Sequence, residues 1–136
     1  MLERIVGATR PDPLIQVIVF EDVSSSGKSG KPIYLRASYP YDVKQATLMH
    51  ELAHRYMDAL DVKFACYSDV HEPLALVLVE AWGQLWGRSF VEAQSGVEAA
   101  RSERYRRAWA GVMDKTPRGR QEALDALLQA DCQKKH

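Results

Sequence analysis

Thr47-Leu48-Met49-His50-Glu51-Leu52-Ala53-His54-Arg55-Tyr56-Met57-Asp58-Ala59 decides how this chain is read, because its centre is H-E-x-x-H. Four residues span about one turn of α-helix, so His50 and His54 leave the same face. Two neutral imidazoles at that spacing reach one divalent ion at about 2.0–2.1 Å, a geometry suited to zinc. Glu51 stands beside the first of them, where a carboxylate can take a proton from metal-activated water without occupying the metal. Leu48, Leu52 and Tyr56, flanked by Met49 and Ala53, make the segment largely apolar, as expected of a buried helix. Arg55 is expected to point to solvent. A pattern with three fixed positions arises by chance in many chains, and it is the uncharged setting that argues against an accident here.

Length and composition narrow the class. A chain of 136 residues suits one domain with a core that needs no staples. We therefore expect a single domain over 1–136, with its core at about 14–95 and a helical C-terminal extension at about 96–136. Lysine plus arginine and aspartate plus glutamate are equal at 18 each, so no global field recruits nucleic acid or an anionic membrane. No apolar run approaches the ~18–20 residues that span a bilayer. Met1-Leu2-Glu3-Arg4 does not begin a basic-then-apolar leader, so a cytoplasmic protein is expected. Cys66 and Cys132 are too few for a disulfide framework and form no C-x-x-C pair.

Leu14 to Phe20 is a short β-branched run and reads as a strand. Ser24 to Pro32 is dense in turn residues. Its Gly27-Lys28-Ser29 is no phosphate loop, because the glycine required five residues earlier is Asp22. A hairpin loop is expected instead, with Ile33-Tyr34-Leu35-Arg36 as a second, antiparallel strand. The helix carrying H-E-x-x-H is expected from Tyr41-Asp42, with Asp42 as N-cap, to about Leu60. After Pro73, which fits a first helical turn, the run to Trp86 is apolar on nearly every face and reads as the central core helix. Gly87 to Ser95 either continues or breaks it. Two amphipathic helices are expected at 97–113 and 118–131, separated at Thr116-Pro117. Arg101, Arg104, Arg106 and Arg107 interleave with Glu98 and Glu103 and read as a solvated face. The fold class is thus α+β: a small antiparallel hairpin packed on a helical core, with the H-E-x-x-H helix, a second ligand-bearing helix and C-terminal helices.

Glu80 interrupts the core helix. A buried carboxylate costs several kcal/mol unless a cation meets it. An arginine would satisfy it; as a third zinc ligand it would complete a His₂Glu site with an open fourth position. His71, at the mouth of the same helix, is the rival third ligand.

With His50-Glu51-x-x-His54 and a helical Glu80 placed, residues 33–87 resemble the gluzincins, above all the minimal gluzincins and ImmA/IrrE-type domains. Glu80-x-x-Gly83-Gln84-x-Trp86-Gly87 is similar to the E-x-x-A-x-x-F-A pattern of the latter. The resemblance implies His50, His54 and Glu80 as ligands of Zn²⁺, Glu51 as general base and acid, and a peptide or protein substrate. Those peptidases usually carry an uncharged residue where this chain has Arg55. They often place an aspartate where this chain has Gln84, which leaves Asp58 as the candidate to orient a ligand histidine. His71, Tyr34, Tyr39, Tyr41 and Tyr67 are candidate transition-state stabilisers by residue type alone. The strand Ile33–Arg36 would form a cleft rim that pairs with an extended peptide.

The expected activity is a zinc-dependent peptidase, with latency through a C-terminal segment carrying Cys132 and His136 as a second feature. The alternative is a non-catalytic zinc-containing interaction or regulatory domain. A zinc amidase acting on a small amide shares H-E-x-x-H but usually takes an upstream cysteine as third ligand, and none precedes His50.

Overall fold

The computed structural model describes residues 15–25, 31–59 and 71–128. It is α+β, as expected, and its internal contacts divide it into two compact units, Met1–Asp61 and Val62–His136.

The first unit holds β1 (Val17–Phe20), β2 (Ile33–Arg36) and α1 (Tyr41–Ala59). In β2 the alternation is plain: Ile33 and Leu35 are buried while Tyr34 and Arg36 are half-exposed, and the strand packs against α1. The two strands pair in parallel, Val17 opposite Ile33 and Phe20 opposite Arg36, which corrects the antiparallel expectation. The turn-rich stretch does close an antiparallel contact, but between Ser25 and Tyr34, whose N–H groups donate to each other's carbonyls at 3.0 Å. That contact takes one edge of β2. Its other edge is left for β1, which meets it in the same direction, with Ile33 N–H donating to Gln16 and Ala37 N–H to Phe20. Arg36 N–H donates to the Ser24 hydroxyl at 3.0 Å. Both edges of β2 are engaged, so the expectation that it offers backbone groups to a peptide is also corrected.

The start of α1 differs by two residues in its cap. Lys44 N–H donates to the Pro40 carbonyl at 2.9 Å, so Pro40 occupies the cap position and Asp42 lies within the first turn. A carboxylate there still favours the helix dipole.

Among its described residues the second unit holds four helices: α2 (His71–Trp86), α3 (Arg88–Ala99), α4 (Glu103–Met113) and α5 (Pro117–Leu128). Every residue from Pro73 to Val79, with Ala81 and Trp82, is buried, so α2 is central to this unit and the other three pack on it. Trp82 stacks on Trp109 of α4 with ring centroids 5.3 Å apart and planes within 9°.

Gly87 separates α2 from α3. Its φ of 88° and ψ of 174° lie in a region essentially closed to residues with a Cβ. The expected helix over 97–113 is in fact two. Ser102 breaks it, accepting a hydrogen bond from Tyr105 N–H at 3.2 Å as the N-cap of α4. Thr116 does the same for α5, accepting from Gly119 N–H, and Pro117 takes the first helical position. Arg106 and Arg107 both donate to Glu103 on an exposed face, and Arg106 foremost holds that carboxyl below its ordinary value. Glu98 departs from the solvated-face expectation: it is buried, with Arg101 3.5 Å away.

Among the described residues no helix is long and apolar enough to cross a membrane. Leu14, Phe64, Cys66, Tyr67, Cys132 and His136 lie outside the described residues, as do residues 26–30 of the turn-rich stretch.

A Cβ at position 87 would meet nothing within 4 Å, so substitution there is penalised by backbone conformation alone. Gly87→Ala is expected to lower stability by about 1–3 kcal/mol. Chemical denaturation checks this, and an unchanged midpoint would contradict the conformation described.

Candidate metal centre

On α1 the four-residue spacing acts as the sequence implies. The rings of His50 and His54 lie 4.9 Å apart, centroid to centroid, with their planes tilted by 50°. His50 and Glu51 are buried and His54 is half-exposed. Thr47, Ala46, Ala53, Tyr56 and Met57 are buried as well, which bears out a helix covered on most sides. Arg55 is buried too, at 3 % exposure, and this corrects the expectation that it faces solvent. A guanidinium carries its charge on a long apolar stem, so a charged residue type alone does not fix an outward direction.

His71 is the first residue of α2, two positions before the buried Pro73. Its ring meets that of Tyr105 edge-on, with centroids 4.4 Å apart and planes at 87°. His50 and His54 offer two donors from one face of α1, and a donor from elsewhere would have to complete a set for a metal ion. Imidazoles suit zinc, copper, iron or nickel.

Glu80, the other candidate third donor on α2, does not sit beside His71. It lies nine residues beyond His71 on the same helix, about 13.5 Å along the axis and half a turn around it. There Gln84 Nε2 donates to its Oε1 at 2.8 Å. Glu80 is half-exposed, lining a cavity of about 610 Å³ with Val79, Gly83, Gln84, Val91 and Met113. The premise that made it a ligand, a carboxylate sealed in an apolar core, therefore does not hold. It interrupts the run because it occupies the cavity side of α2.

The remaining candidates are dispersed. Tyr34 packs edge-on against Phe20 in the sheet, 5.1 Å between centroids. The Arg36 guanidinium lies over the ring of Tyr39 at 6.0 Å, Tyr41 is 78 % exposed, and Asp58 is exposed near the end of α1. Tyr105 was not anticipated. It stands 34 residues beyond His71 in a segment whose arginines dominate its reading, and no spacing links the two.

Compared with protein-family models, with curated proteins and with solved structures, the chain finds no match.

Zinc titration against a chromophoric chelator tests the histidine pair. His54→Ala is expected to weaken binding by more than about 100-fold, since outer contacts alone are worth 10–100-fold. An unchanged affinity would remove the pair from metal binding.

Proposed function

We propose that this protein is a zinc-dependent hydrolase of peptide bonds, with His50 and His54 holding the ion and Glu51 as general base and acid. The observation that carries the reading is the H-E-x-x-H helix, which brings the rings of His50 and His54 within 4.9 Å of each other and buries Glu51 beside them. A third protein donor would leave a fourth position for solvent or substrate. Zinc held there would bring a bound water towards a pKa of about 7 and polarise the scissile carbonyl.

The chain's own part is acid–base work. Glu51 takes a proton from the attacking water on one carboxylate oxygen and delivers it to the departing amine nitrogen. Its position immediately after His50 keeps it beside the ligand pair without making it a ligand. A purely structural zinc site has no use for Glu51, which favours catalysis over a non-catalytic zinc module. The even charge balance favours a polypeptide substrate over a polyanion.

Cleavage of an unfolded protein substrate, with and without chelator, tests the proposal. Glu51→Gln is expected to retain zinc and lose about 10²–10⁴-fold in rate. A variant as active as the parent would remove Glu51 from the chemistry. A zinc-loaded parent inert towards every polypeptide offered would favour the non-catalytic module.

A further inference from the structure

We infer that the cavity beside Glu80 is a binding site for a short peptide with free ends and apolar side chains, its ammonium received by Glu80 and its carboxylate by Lys115 and Arg120. The described lining belongs wholly to the second unit, and the reading needs no metal. At about 610 Å³ the cavity falls within the range of sites for small molecules, and Val79, Val91 and Met113 give it an apolar wall. Charges of both signs share it. Those of Arg88 and Glu92 satisfy each other, the guanidinium donating to the carboxylate at 3.0 Å along the exposed side of α3.

Glu80, Lys115 and Arg120 are different. All three line the one cavity, yet among the described residues no ion pair joins Glu80 to either cation. The contact that Glu80 makes is neutral: Gln84 Nε2 donates to Oε1, and the second oxygen keeps its accepting capacity. Arg120 donates through Nη1 to the Lys115 carbonyl at 2.7 Å, which fixes it near the start of α5 while its other donors remain for a ligand. Each of the three is half-buried, so each gives up hydration that no protein counter-ion among the described residues replaces. Packing alone gains nothing from this: an apolar side chain at position 80 would extend the buried run of α2 without a break. Opposite charges that share a cavity without meeting are the complement of a dipolar ligand whose charges are held apart by an apolar body. A peptide of two or three residues has that form. A carboxylate or phosphate alone would answer the two cations and be repelled by Glu80.

Isothermal titration calorimetry with L-leucyl-L-leucine tests the assignment, beside the same dipeptide N-acetylated or C-amidated, with chromatography afterwards to verify that each probe is intact. Saturable binding of the free dipeptide is expected, weakened about 10-fold or more by blocking either end. Glu80→Gln is expected to weaken the free dipeptide about 10-fold and leave the N-acetylated form unchanged; Arg120→Gln is expected to weaken the free dipeptide similarly and leave the C-amidated form unchanged. These paired comparisons separate a lost contact from a lost fold. Where circular dichroism shows Arg120→Gln unfolded, Lys115→Met takes its place with the same expectation. The inference would be overturned by a chain that does not bind the dipeptide saturably, or by a blocked form that binds as tightly as the free one. Variants that match the parent, or that lose free and blocked forms alike, would overturn it too.

Discussion

A helix advances 1.5 Å and turns 100° per residue, and that arithmetic governs the candidate site. On α1 it places residues four apart on a common face, which brings the rings of His50 and His54 within 4.9 Å. On α2 it acts in the other sense. His71 and Glu80, nine apart, are carried to opposite sides of the same cylinder, so they do not serve one ion. The histidine pair follows from the first consequence, and the place of Glu80 beside its cavity, away from His71, from the second.

The polar residues on α1 are there at a cost to stability. Burying an imidazole, a carboxylate and a guanidinium forfeits hydration that only specific contacts can replace. His50, Glu51, Thr47 and Arg55 are all buried on this one helix, among Ala46, Ala53, Tyr56 and Met57. Apolar residues at those positions would serve packing alone better. A helix selected only to fill a core would not concentrate these groups around a pair of histidines, and this is the physical case for chemistry at the site.

Much of the helical framework was legible because its signals are local. The bounds of α1, the core position of α2 and the break at Thr116-Pro117 follow from periodicity, a buried run and a proline. The split at Ser102 was equally local, a serine followed by Glu103, but the surrounding charges masked it. Strand direction was not legible: turn composition near Ser24–Pro32 predicts a reversal without saying which segment it pairs, and it pairs Ser25 rather than β1. The directions of Arg55 and Glu80 also failed, for one reason. Charge and hydropathy along a chain do not say which side of a helix meets a cavity and which meets packed neighbours. The contact of His71 with Tyr105 was not legible either, because an aromatic contact between helices distant in sequence leaves no periodicity.

X-ray absorption at the zinc edge of the loaded protein tests the central claim most directly. Multiple scattering from imidazole rings counts histidine ligands independently of mutation. At least two imidazoles with nitrogen at about 2.0–2.1 Å are predicted. A single imidazole, or none, would contradict the account.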